Sequence, residues 1–331
     1  MGRRGLYQVV EADSSAVAGI SKDQVTAVAA VLSQRFGGSA PQPATWDDPR
    51  FWNVDASRSD RCQFLAVGNA INFRFWTVAD GQVVAGAGPV EGESFRGAMY
   101  LWRRLRLGVQ RGEFELNAKW LSELTEESLE RAFRDDDGAC PLSPGLADRT
   151  KNLRDLGTRL LDDWEGEFVN VVDAANGSLT GFADLSATFR AFDDPIRKLT
   201  MVNAIMLAGS GLTHFDEEPL PGIDYHLIKQ AVRQGLVVPS QEVQDKLRDK
   251  QFLTPMESLA LRHVTLTALL QVAEASGIST AVIDNIYWGN GRICDERKPA
   301  CQIAGGPECP FEDACLRRVD LGRPLEITRY Y

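Results

Sequence analysis

LPGIDYHLIKQAVRQG occupies residues 220–235, and the fold is read outward from it. Pro221-Gly222 marks a turn, and Asp224 stands at the start of a helix that Gly235 closes. A carboxylate at that position accepts the free amides of the first helical turn, and the helix dipole favours its negative charge. Capping alone accounts for such an aspartate; a carboxylate placed for chemistry is the second reading. Further helices are expected at 21–35, 195–209, 241–250, 256–276 and 279–289. Leu153, Leu156, Leu160 and Trp164 repeat at helical spacing in a segment that stops before Gly166. His263 sits among apolar neighbours in the 256–276 segment and reads as a core or boundary histidine. Residues 62–88 mix aromatic and β-branched residues around a turn at Asp80-Gly81, and they form the one expected β element. The fold class is therefore mainly α with a small β insert. The expected organisation is a single helical domain over 1–291 followed by a cysteine-rich tail over 292–331.

The whole chain of 331 residues carries 36 Lys+Arg against 46 Asp+Glu, a formal charge of -10. That balance argues against a general grip on duplex DNA, which needs a phosphate-neutralising basic surface. It leaves room for a small local phosphate pocket. No apolar run reaches the roughly 18–20 residues of a membrane-crossing helix, and the opening MGRRGLYQVVEADSS lacks the apolar stretch of a signal peptide. No membrane partner is expected, and the expected location is the cytoplasm.

Four of the six cysteines crowd near the C-terminus. Cys294, Cys301, Cys309 and Cys315 are separated by six, seven and five residues. Four thiolates on a short, loop-rich segment can hold a tetrahedral zinc ion or a 4Fe-4S cluster, and a reducing compartment suits either. Cys62 and Cys140 lie far off in sequence and read as ordinary buried thiols.

Two resemblances rest on these residues. Asp224-x-His226-x-x-Lys229-x-x-x-Arg233 resembles the catalytic segment of helix-hairpin-helix DNA glycosylases such as endonuclease III, and Leu220-Pro221-Gly222 is similar to their hairpin turn, although here it is fused directly to the aspartate. CDERKPAC…CPFEDAC resembles the cluster loop of the same enzymes, with the insert QIAGGPE lengthening its middle gap. On that resemblance the expected cofactor is a 4Fe-4S cluster, with zinc as the alternative, structural in role and not required for hydrolysis itself.

Read end to end, the chain also resembles the queuosine salvage protein family. Asn69-Ala-Ile-Asn72-Phe73-Arg-Phe75-Trp76 is similar to that family's Asp-x-x-Asn-Phe-x-Phe-Trp signature, with Asn69 where the family carries Asp. Phe95-Arg-Gly97, Cys140-Pro-Leu, Asp148-Arg149, the segment to Trp164, Asp224-Tyr225, Glu257 to Arg262, Asp284 and Tyr287-Trp288 follow in the family's order, and Arg329-Tyr330-Tyr331 ends it. His226 stands where the family has Arg. Together the two resemblances imply a helix-hairpin-helix glycosylase-like helical bundle. The family implies hydrolysis of the N-glycosidic bond of queuosine 5′-monophosphate, or of queuosine, to release queuine, so the partner is a small-molecule nucleotide. Asp224 would support the oxocarbenium ion and activate water. Phe73, Phe75 and Trp76 would face the planar base, or else form core. Asn69 and Asn72 would meet the base edge or ribose. Arg197 and Lys198 would meet the phosphate, and Tyr225, His226 and Lys229 would shape the pocket beside Asp224. The alternative is an iron–sulfur helix-hairpin-helix DNA glycosylase that excises a damaged or modified base.

Overall fold

The computed structural model describes residues 14–36, 44–79 and 82–331. The Asp80-Gly81 turn expected from sequence lies outside the described residues. Helices dominate, and among the described residues the strands form three two-stranded antiparallel ribbons. The chain divides into two compact units. One contains the described residues up to Ala44 together with Glu218–Ile327; the other contains Thr45–Glu217 and Thr328–Tyr331. Residues 292–327 of the expected tail thus fall in the first unit and its last four residues in the second.

In the first unit the Lys22–Phe36 helix packs on the long Pro255–Ser276 helix, and the Tyr225–Gln234 helix packs on Thr280–Ile293. Thr254 and Glu257 form a capping box at the start of the long helix, and Pro255 follows the cap. His263 is half-buried on that helix, as the boundary reading anticipates. The ribbon of Ala18–Ile20 with Val237–Pro239 was not legible in the sequence, since three-residue strands carry no period.

The second unit is built round the Arg58–Ala70 helix, which meets the Leu146–Asp163, Phe168–Ala174 and Lys198–Gly209 helices. Here the expected β segment needs correcting. Residues 58–70 are helical: Ser57 caps them by accepting the Asp60 amide, and every residue from Cys62 to Ala70 is buried. A helix covered on all sides has no amphipathic stripe, and its Phe-Leu-Ala-Val run imitates a strand. The true β insert is two hairpins, Trp76–Ala79 with Gln82–Ala85 and Ala87–Val90 with Glu93–Arg96. The second turns through Glu91 and Gly92, both with positive φ, the geometry that matches strand twist in a two-residue loop.

Among the described residues no single helix is long and apolar enough to cross a membrane. Close helix contact in the second unit depends on Gly157, where a Cβ would stand 2.5 Å from the Ala118 carbonyl oxygen and the Ser122 nitrogen. Both obstacles are backbone, so the helices must separate to admit it. Gly157→Ala is expected to lower the unfolding free energy by about 1–3 kcal/mol in chemical denaturation, despite alanine's better helix propensity.

Candidate functional site

Asp224 caps the Tyr225–Gln234 helix. Its Oδ1 accepts the backbone N–H groups of His226 at 2.7 Å and Leu227 at 3.1 Å, and the residue is only 7% exposed. The approach to it is irregular backbone. No helix interrupts residues 211–224, so a second helix of a hairpin does not precede the aspartate. Two buried side chains hold that backbone instead. Asp284, on the Thr280–Ile293 helix, accepts the Gly222 N–H at 2.8 Å. Arg262, on the long helix, donates through Nε to the Ile223 carbonyl at 3.4 Å. Three helices of one unit therefore fix this carboxylate. In sequence, Asp284 and Arg262 figured only in the family's order of residues. Their local signal is a charged residue inside an otherwise apolar helical run.

Tyr225 is buried beside His226, their rings 4.5 Å apart, and the Arg323 guanidinium lies over the Tyr225 ring at 5.1 Å. His226 lies against the neighbouring helix at Gly291, where a Cβ would come within 2.9 Å of its own. Lys229 is buried one turn on and donates to the Gly291 carbonyl at 3.3 Å. Burial pushes its ammonium pKa down to about 8.

In the other unit, Lys198 is buried and donates through Nζ to the Asn72 carbonyl at 2.9 Å. Asn72 donates to the Asn69 side chain at 3.2 Å, and Asn69 donates to Asn203 at 3.1 Å. The structure thus joins Asn69, Asn72 and Lys198 in one buried polar chain. Asn203 completes it and was missed, although an asparagine within LTMVNAIMLAG is the kind of exception that marks a buried polar contact. Asp194 accepts the Lys198 backbone N–H at 2.8 Å and the Ile196 N–H at 3.2 Å, which starts the helix three residues later than Pro195 suggested. Arg197 donates to the Ala183 carbonyl and pairs with Asp184 at 2.9 Å.

Phe73, Phe75 and Trp76 are all buried. The Arg149 guanidinium lies 4.5 Å from the Phe73 ring centroid and 5.5 Å from that of Phe75. Arg149 is itself fully buried and donates to the carbonyls of Ile71, Phe73, Arg74, Leu142 and Pro144. One side chain thus holds the backbone of the signature at Ile71, Phe73 and Arg74.

Cys294, Cys301, Cys309 and Cys315 all line one small cavity in the first unit. Burial raises the Cys309 thiol pKa and pushes that of Cys315 up to about 11. Among the described residues no group of three or more His, Cys, Asp or Glu side chains is placed to hold a metal ion.

Residues 52–201 match the family described as queuosine salvage protein. The matched stretch includes Asn69, Asn72, Phe73, Phe75, Trp76, Arg197 and Lys198 and ends before Asp224. A curated relative, the queuosine 5′-phosphate N-glycosylase/hydrolase of Sphaerobacter thermophilus, is 25% identical over 166 residues, which make up 50% of this chain. The match spans 48% of that relative's length.

Two substitutions test these assignments. Asp284→Ala removes the acceptor of the buried Gly222 amide. It is expected to cost about 1–3 kcal/mol and to speed hydrogen exchange at Gly222 above that of the helix cores. Arg149→Lys keeps the charge but loses the planar fork, and its expected cost is about 2–4 kcal/mol by denaturation.

Proposed function

We propose that this chain is an N-glycosidase that hydrolyses the glycosidic bond of queuosine 5′-monophosphate, or of queuosine, and releases queuine. The observation that carries the reading is the queuosine salvage domain over residues 52–201, supported by the relative's activity as an N-glycosylase/hydrolase. Asp224 supplies the reacting carboxylate in this proposal. When the bond from the anomeric carbon to the ring nitrogen breaks, its electron pair leaves with the base and positive charge develops on the sugar. A fixed carboxylate stabilises that charge without reorganising. Water then bonds to the anomeric carbon, and the proton it sheds passes to Asp224 and on, directly or through solvent, to the departing base nitrogen, which leaves Asp224 ionised again. Tyr225, His226 and Lys229 support the aspartate.

Incubation with queuosine 5′-monophosphate, queuosine and a uracil-containing duplex, followed by mass spectrometry, tests the proposal. Queuine is expected from at least one nucleoside form and no base from the duplex; uracil release without queuine would establish the DNA glycosylase reading instead. Asp224→Asn separates catalysis from capping, because asparagine caps helices as well as aspartate does. The expected result is an unchanged melting temperature with kcat lowered about 10²–10³-fold. Full turnover in that variant would remove Asp224 from the mechanism.

A further inference from the structure

Asp148, on the Leu146–Asp163 helix of the second unit, sits among arginines. Its Oδ1 accepts Arg190 Nη2 at 2.8 Å, and its charge also acts on Arg74 and Arg329. Arg329 is engaged by Asp193, which accepts from both ends of its fork at 2.7 and 2.8 Å. Arg149 is engaged by the carbonyls already described. Arg74 is different. Its side chain is half-buried, yet among the described residues its guanidinium makes no hydrogen bond and no ion pair. Burial lowers its pKa, and the more distant charge of Asp148 opposes that shift. A partly desolvated charge without a partner calls for an explanation.

Two guanidinium groups meet at Gly145. A Cβ there would stand 2.7 Å from Arg74 Nη2 and 3.0 Å from Arg149 Nη1, so a side chain at this position would displace both. Arg74 itself has a φ of +41°, a left-handed backbone that residues with a long side chain seldom adopt. Its carbonyl accepts Arg149 Nη2 at 3.3 Å, which ties the two arginines together through the backbone. Two like charges held this close repel, and partial burial weakens the screening that water would give. Arg190, paired with Asp148, adds a buried Nε that has no partner among the described residues. Positive charge thus collects at one place in a chain whose formal charge is -10.

We propose that the Arg74 guanidinium, backed by the charges of Arg149 and Arg190, binds a phosphate group, carried either by free phosphate or by a nucleotide monoester. A guanidinium presents parallel N–H donors that match two oxygens of a phosphate. The roles of the arginines differ. Arg74 contributes donors. Arg149 has its donors committed to carbonyls, so it contributes charge and fixes the backbone that aims Arg74. Asp148 carries one negative charge, already shared with Arg190, and cannot balance the whole cluster. A dianion can. Half-burial suits the task, because solvent gives a small anion access while the covered side strengthens the attraction. The site does not rest on the hydrolase reading, since neither Asp224 nor turnover enters it.

Calorimetric titration of the full chain with inorganic phosphate tests the site, at an ionic strength held constant with sodium chloride. Saturable binding is expected, and Arg74→Gln is expected to weaken it about 10–100-fold. Arg74→Lys recovers only part of the loss, because an ammonium lacks the planar fork. Arg131→Gln removes an exposed arginine of the same unit, paired with Glu127, and keeps the wild-type affinity. Labelling with the arginine reagent phenylglyoxal, mapped by peptide mass, covers the case in which a variant does not fold. Arg74 is expected to react in the wild-type chain and to be protected by phosphate, while Arg131 reacts equally with and without it. Guanosine 5′-monophosphate separates the two sources. If it protects Arg74 at lower concentration than phosphate does, the site takes a nucleotide; if it protects no better, the site takes the free ion. Absence of saturable phosphate binding, equal affinity in Arg74→Gln and Arg131→Gln, or labelling of Arg74 that phosphate leaves unchanged would overturn the proposal.

Discussion

Irregular backbone inside a protein must find donors for its carbonyl groups, and in each unit one buried arginine supplies several of them. Arg149 serves five carbonyls on two separate loops. Arg233 serves four on the C-terminal segment. A guanidinium suits this work because its donors are fixed in a plane and its charge is weakly hydrated, so burying it costs less than burying an ammonium. The two arginines explain why stretches with few hydrogen bonds of their own hold a defined course. Both candidate regions depend on them: the Asn72–Phe75 signature hangs from Arg149, and the cysteine loops hang from the helix that Asp224 begins.

The same logic applies near the carboxylate at smaller scale. Asp284 and Arg262 each satisfy one peptide group of the loop before Asp224, and that loop delivers the aspartate to its helix. The cap bonds explain why the aspartate stands where it does, and they give it a structural duty beside any chemical one. Lys198 and the chain Asn72–Asn69–Asn203 show the corresponding pattern in the second unit, where each polar group is covered by the next. Asn69 in place of an aspartate fits that setting: an amide both donates and accepts, so it can bridge Asn72 and Asn203 without placing a charge in the core.

Much of the helical layout was legible. Caps, glycine stops and apolar spacing located the helices around Asp224, around Leu153–Leu160 and from 241 onward, because each has a chemically marked start or stop. The failure at 58–70 has the opposite cause, since burial on every side erased the period. The Ala18–Ile20 ribbon was invisible because its partner lies more than two hundred residues away. Of the site, the aspartate cap and the four cysteines were readable as local patterns. Asn203, and the anchoring roles of Asp284, Arg262 and Arg149, depend on partners distant in sequence and emerge only once the helices are packed.

The pairing of Ala18–Ile20 with Val237–Pro239 also sets an order of events during synthesis. The segment from Thr45 to Glu217 lies almost wholly in one unit and contains the queuosine salvage match. It can complete its core while the ribosome is still making the rest, wanting only the last four residues. The flanking unit has no such option. Its first strand and helix emerge early, yet the partners that cover them arrive after residue 218, so those apolar surfaces wait exposed through most of translation. Folding the inserted segment first shortens the loop that must later close between Ile20 and Val237. A chain of this topology will be most sensitive to chaperone supply and translation rate in its outer unit, and least sensitive in the unit nested within it.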